Sequence, residues 1–207
     1  MTDRRQFLAT AAGVLLPLPV LAQEAMIHEL SGEVRVNGQP ATRAMRLGAG
    51  DSIFTGRDGR IAFVIGGDAV FMRPGSELRL ESRAREVLIR AFRLVQGALG
   101  ATFARGRDRD LVARTVTIGI RGTGVYVETR AEETYACTCF GATELKSTAD
   151  GAMMESVAMV TGNHGARRIY RDPRMGMRVA LAGFERHTNE EMAALEKLAG
   201  RDNPFRS

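Results

Sequence analysis

Past its first two dozen residues, the chain repeats one pattern: apolar side chains at every second position, in short runs closed by glycine. In GEVRVNG (32–38), Val34 and Val36 share a face and the run ends in Asn37-Gly38, the signal of a two-residue hairpin. RIAFVIGG places Ile61, Phe63 and Ile65 on one face; SELRLES alternates through Leu78 and Leu80. ARTVTIGIRG alternates at Val116, Ile118 and Ile120, and GVYVET continues at Val125 and Val127. Period-two spacing with turn residues between the runs predicts a mainly β, single-domain fold of many short strands, a sandwich or a twisted coil. Residues 86–96 fit a strand or a buried helix equally well.

Two segments break the pattern. In HTNEEMAALEKLAGRDNPF, Thr188 and Glu191 form a capping-box signature, Met192, Leu195 and Leu198 follow on one helical face, and Gly200 is a stop. This predicts an amphipathic C-terminal helix over 188–200, packed on the β domain or offered to a partner. At the other end, Arg4-Arg5, a short apolar run and "VLA" before Gln23 have the three-part layout of an export signal, of twin-arginine type, over residues 1–22. The run is too short, and too interrupted by Pro17 and Pro19, for a membrane span. No later run is long enough, so the mature chain is expected to be periplasmic and without a transmembrane segment. The division expected is a β domain over 23–130, a β extension over 131–187 and the helix.

Charge narrows the partners. The chain carries 29 Lys and Arg against 24 Asp and Glu, net +5, and nearly all its cations are arginine. Acids alternate with them, as in RGRDRD (105–110), which reads as a solvated surface and argues against a nucleic-acid partner. Catalytic signatures are missing: there is no G-x-S-x-G and no H-E-x-x-H, and the glycines of GIRGTG lack the spacing and the following helix of a dinucleotide site. With three histidines in all, His28, His164 and His187, the chain is expected not to be an enzyme.

The stretches GEVRVNGQPA, LGAGDSIFTGRDGRIAFVIGGD, RPGSELRLE, FRLVQGALGATF and TVTIGIRGTG together resemble the FecR-type periplasmic domain over roughly residues 30–130. The resemblance implies a compact module of short strands that binds a protein or a cell-envelope component. It does not extend to an anti-sigma role, because the cytoplasmic helical segment and membrane span that such a role uses have no counterpart here. Within the matching region, Gly56 and Gly59 suit a tight hairpin with positive φ. RGTG (121–124) reads as a turn, with Arg121 free to pair with an acid such as Asp51 beneath it.

One motif remains. YACTCFG holds the only cysteines, Cys137 and Cys139. On a strand they share a face with Tyr135, opposite Thr134, Ala136, Thr138 and Phe140, with Cα atoms about 6.6 Å apart. Three readings stay open. The pair can be small buried side chains. It can be a strained, easily reduced disulfide, since parallel Cβ vectors oppose closure. Or the two sulfurs can hold a soft metal ion, with His164 and His187 completing a set suited to zinc or Cu(I). Met175 and Met177 in RMGMR would favour Cu(I) if they joined the site, and otherwise serve as core filler.

Overall fold

The computed structural model describes residues 25–82, 88–159 and 164–205; the expected export signal lies outside them. Strands follow one another almost to the C-terminus: β1 (Ala25–Ser31), β2 (Val34–Val36), β3 (Gln39–Pro40), β4 (Arg46–Leu47), β5 (Ser52–Thr55), β6 (Arg60–Ile65), β7 (Asp68–Met72) and β8 (Glu77–Ser82). Three long strands then dominate, β9 (Ile89–Thr102), β11 (Val116–Thr129) and β12 (Glu133–Ser147), with the short β10 (Asp108–Val112) before the second of them. β13 (Met153–Met159), β14 (Gly165–Arg174), β15 (Met177–Ala182) and helix α1 (Asn189–Leu198) complete the chain. The protein is a mainly β single domain with one C-terminal helix, as the alternation predicts. The ambiguous stretch up to residue 96 is strand from Ile89 onward.

All strands join one sheet, with β15 at one edge, then β14, β12, β11, β10, β9, β7, β6, β1 and β4; β2, β3, β5 and β8 branch from β9, and β13 from β12. Each long strand changes partner part-way. β9 pairs with β8 up to Gln96 and with β7 from Leu99. β11 pairs with β10 up to Arg121 and with β9 from Gly124. β12 pairs with β14 up to Thr138 and with β13 from Gly141. Each switch holds a glycine at positive φ: Gly97 (81°), Gly122 (60°) and Gly141 (80°). At Gly141 an added Cβ would also lie 2.7 Å from Thr123 Oγ1, so both conformation and space require glycine.

These bulges shift which positions face inward. In β11, Val116, Ile118 and Ile120 enter the main core before Gly122, whereas Val125 and Val127 enter it after. One extra residue exchanges the two faces of a strand. Tyr126 is thereby turned to the opposite face, beside Tyr135, Cys137 and Cys139 of β12. The sheet thus has two apolar faces: a main core of Val, Ile, Leu and Phe, and a smaller outer patch that α1 covers with Met192 and Leu195.

The region resembling FecR differs from expectation in three details. Asn37 and Gly38 form the anticipated hairpin, both at positive φ. Gly56 and Gly59 do not: β5 pairs with β2 and β8, β6 with β1 and β7, and neither glycine has positive φ. They are glycine because Glu33 crosses there; Gly56 N–H donates to its carbonyl at 2.8 Å, and a Cβ on either residue would strike it. RGTG is the bulge of β11 and not a turn. Arg121 is exposed, 3.8 Å from Asp108, while Asp51 accepts from Gly48 N and Asn37 Nδ2 at 2.7 Å each. The buried ion pair is another one, Arg109 with Asp68 at 2.7 Å, where Asp68 also accepts from Ala104 N.

Candidate metal centre

Cys137 and Cys139 lie on the outer face of β12, at i and i+2, both buried as free thiols. Opposite them Tyr126 of β11 pairs in register with Cys137. Thr134, Ala136 and Thr138 point the other way, as alternation requires. Phe140 does not follow them: beside the Gly141 bulge its ring lies over Gly124 and meets Phe205 edge-on, 5.8 Å between centroids.

Two histidines come to the sulfurs from distant parts of the chain. His164 stands immediately before β14, and its Nδ1 is 3.4 Å from Cys137 Sγ. His187 stands immediately before the helix cap, and its Nε2 is 3.2 Å from Cys139 Sγ. One donor atom from each of the four residues lies within 4.8 Å of every other. Ions held at about 2.3 Å by sulfur and about 2.05 Å by nitrogen have tetrahedral edges of roughly 3.5 Å; the two sulfur–nitrogen contacts match such edges, and the 4.8 Å span of the set requires a small contraction around an ion. His28, on β1, is not part of the cluster.

The outer nitrogen of each ring is also engaged. His164 Nε2–H donates to Asn189 Oδ1 at 2.7 Å, and His187 Nδ1–H donates to the Glu185 carbonyl at 2.9 Å. With those protons outward, the other ring nitrogen of each histidine faces a sulfur. An outer-shell acceptor on the second nitrogen is the usual device that fixes ring orientation in metal-bound histidine.

The surroundings hold this arrangement. The Tyr126 ring stacks on His187 at 4.6 Å and 9°; Phe184 stacks on His164 at 3.8 Å and 22°. Tyr135 Oη donates to the Gly183 carbonyl at 3.0 Å and accepts from Glu185 N at 3.2 Å, pinning the loop that carries His187. Arg186, next to His187, has φ of 70°, a left-handed conformation that costs a non-glycine residue about 1–3 kcal/mol and persists only where its surroundings impose it. Thr188 caps α1 with the full capping box, which fixes the direction in which Asn189 leaves the site.

The thiols are unequal. The Cys137 thiol is pushed down to about 5, chiefly by the hydrogen bond from Cys139 and then by His187 and His164, against the opposing effect of burial. Burial, and then Cys137, push Cys139 well up. Burial and the charge on Cys137 also raise Tyr135, which stays a phenol. Two sulfurs and two ring nitrogens thus face one another, a donor set suited to a soft cation, whose binding would deprotonate both thiols.

Met175 and Met177 are elsewhere. They form the tip of the β14–β15 hairpin, eight or more residues along β14 from the sulfurs, or roughly 25 Å at strand rise. Met175 is 92% exposed, so neither the core-filling role nor a place among the ligands fits. Asn189, the Glu185 carbonyl and Tyr126 are the members of the site that sequence reasoning missed; alternation places Tyr135 on the cysteines' face, without the role of its hydroxyl.

No family model matches the sequence, and no curated protein matches it. Among solved structures, the chain is similar to a protein of Parabacteroides distasonis ATCC 8503, provisionally described as an anti-sigma factor, in crystal structures at 1.65 and 2.50 Å resolution. Each similarity has 11% identity and a TM-score of 0.47, covering 58% of this chain and 55% of the other. The chain thus spans about half the length of these neighbours. Among the described residues, no helix is long and apolar enough to cross a membrane.

Proposed function

We propose that this protein is a non-enzymatic metal-binding module of the cell envelope, holding one cation through Cys137, Cys139, His164 and His187. The observation that carries the reading is the convergence of two sulfurs and two imidazole nitrogens, each ring held from behind by a separate acceptor. Zinc is the ion we assign. Four protein ligands without an open position describe a structural zinc site, and the methionines that would favour Cu(I) lie far away. Cys137, His164 and Asn189 form a chain like that of a thiol hydrolase, but Cys137 is 1% exposed, out of reach of a substrate. The periplasmic location rests on the twin-arginine-like leader, and the FecR-like reading on the motifs between Glu33 and Gly124. The anti-sigma description of the structural neighbours is not carried over.

The test is metal analysis of protein purified without a histidine tag. One equivalent of zinc is expected, and Cys137→Ser abolishes it; retention of the ion by that variant would show that the ligand set is wrong. Cobalt substitution gives a second readout, since two thiolates in a tetrahedral field produce sulfur charge-transfer and intense d–d bands. Thiol counting on the metal-free protein separates this reading from a disulfide: two reactive thiols are expected.

The module reading has support of its own. Between α1 and the sheet lies a groove of about 170 Å³, bordered by Ile61, Phe71, Met72, Leu195 and Leu198, with Arg73 and Glu191 paired at its rim at 2.7 Å. Pull-down from an envelope fraction, with Leu198→Arg as the control, tests whether a protein partner uses it.

A further inference from the structure

At the opposite edge of the sheet from the groove, three arginines gather around one pocket, where the ion pair of Arg171 with Glu132, at 3.5 Å, is looser than the tight pairs that other arginines make. Arg93 is paired with Glu81, Arg167 with Glu155, Arg109 with Asp68 and Arg201 with Glu196, each at 2.5–2.7 Å. Arg114, Arg171 and Arg178 instead border a pocket of about 260 Å³ with Thr115, Ser147 and Thr148. Arg114 Nε donates to the Val95 carbonyl at 2.9 Å, and Arg178 Nη1 to the Arg171 carbonyl at 2.9 Å. A carbonyl orients a guanidinium without neutralising it. The nearby acids are exposed: Glu132, 3.5 Å from Arg171 with both side chains about half exposed, and Asp150 on the turn after β12, whose carboxylate feels Arg178.

The pocket opens beside the tip half of the β14–β15 hairpin, at the edge of the sheet. The tip carries Met175 and Met177, the latter 50% exposed, and Leu181 further along β15 is 80% exposed. Arg174 lies over the Tyr170 ring at 4.6 Å on the same hairpin. Exposed, flexible apolar side chains bordered by arginines make an interfacial surface, with apolar atoms to enter the acyl boundary and cations for the phosphates above it. The volume is below the roughly 300 Å³ at which pockets for drug-sized molecules begin, and suits a small charged group. Guanidinium forks match phosphate oxygens.

We propose that the Arg114–Arg171–Arg178 pocket and the methionine tip beside it form a membrane-contact site that takes the phosphate of an anionic phospholipid headgroup. This names one envelope component that the module reading leaves open, and it does not depend on the metal centre.

The experiment is co-sedimentation of the full-length mature protein with vesicles of phosphatidylcholine alone and of phosphatidylcholine mixed with phosphatidylglycerol. Binding to the mixed vesicles only, weakening with added salt, is expected. Arg171→Gln and Arg178→Gln should each weaken it about fivefold, the effect of one cation near an anionic surface. Met175→Ser should weaken it while leaving the salt dependence unchanged. If a glutamine variant misfolds, the Arg171→Lys and Arg178→Lys variants keep the charge and should retain binding to the mixed vesicles and its salt dependence. Equal binding by wild type and the double glutamine variant, or no binding to mixed vesicles, overturns the proposal. Saturable binding of inorganic phosphate alone, without vesicle binding, overturns the membrane as the source. Metal content is measured on every variant and should not change, so a failure here is separate from a failure of the metal reading.

Discussion

The two faces of the sheet are held by different means. The main core is aliphatic and continuous, gathering Ile, Val, Leu and Phe from strands between β1 and β14. The outer patch is built from small and polar-tipped residues: Ala69, Ala98, Ala166, both cysteines, Tyr126 and Tyr135, under Met192 and Leu195. A buried Leu or Ile contributes roughly 1.5–3 kcal/mol, an alanine far less. The C-terminal segment therefore leans on discrete links: Arg73 to Glu191 at 2.7 Å, Arg201 to Thr102 at 2.8 Å and to the Gly67 carbonyl, Tyr135 to the 183–185 loop, and the Cys and His cluster. The contrast teaches that burial carries the β body, while specific bonds, and the ion we assign, carry what docks on it.

The sharpest break of the first region is at the Asp68–Arg109 pair, buried on both sides. Asp68→Ala leaves Arg109 buried and unpaired, and should cost about 3–5 kcal/mol of global stability in denaturant titration. Zinc stoichiometry measured below the transition should remain one, because the loss is distributed over the whole fold. A loss under 1 kcal/mol would show that Arg109 finds solvent or another partner.

The second region should answer to metal. At free zinc a hundredfold above the dissociation constant, binding adds about 2.7 kcal/mol. Chelation should remove it and raise hydrogen exchange selectively in residues 183–199, leaving β5–β8 unchanged. Uniform acceleration along the chain would erase the distinction between the two faces.

What could be read from sequence follows the same division. Alternation marks the main-core strands because one face of each is aliphatic, and it set Cys137 and Cys139 on a common face. It could not show the bulges: the change of parity between Ile120 and Val125 was visible, but RGTG was read as a turn, since a turn and a bulge ask for the same glycine. His164 and His187 were candidates because few histidines exist. Their meeting with the sulfurs depends on closure over 27 and 48 residues, which periodicity does not encode. Arg109 was hidden in RGRDRD, a run that looks solvated until β10 is seen to bury Arg109 and Leu111 on one side.

Tyr135 tests a single link of the outer layer. Tyr135→Phe keeps the ring against Tyr126 and removes the hydroxyl that bridges Gly183 and Glu185. About 1 kcal/mol should be lost, since two half-buried backbone groups lose their partner. Because Glu185 also orients His187 through its carbonyl, zinc should leave this variant faster than wild type in a chelator-competition assay. Unchanged release would mean that the loop is fixed by its other contacts, such as Arg168 with Glu185.

The smallest effect is expected at the cap. Thr188→Ala removes the side-chain acceptor for Glu191 N, at 3.2 Å, and half of the capping box. Ncap losses of this kind cost about 1 kcal/mol. The whole of it should fall on α1, because the main core does not touch the cap. In the zinc-loaded protein, His187 and Asn189 flank the cap and are tied to the site, so the helix start is held from both sides. The substitution should therefore lower the thermal midpoint less with zinc than after chelation. Equal shifts in both states would show that the ion does not restrain the helix, and the outer layer would then have to be explained by its salt bridges and its two buried apolar side chains alone.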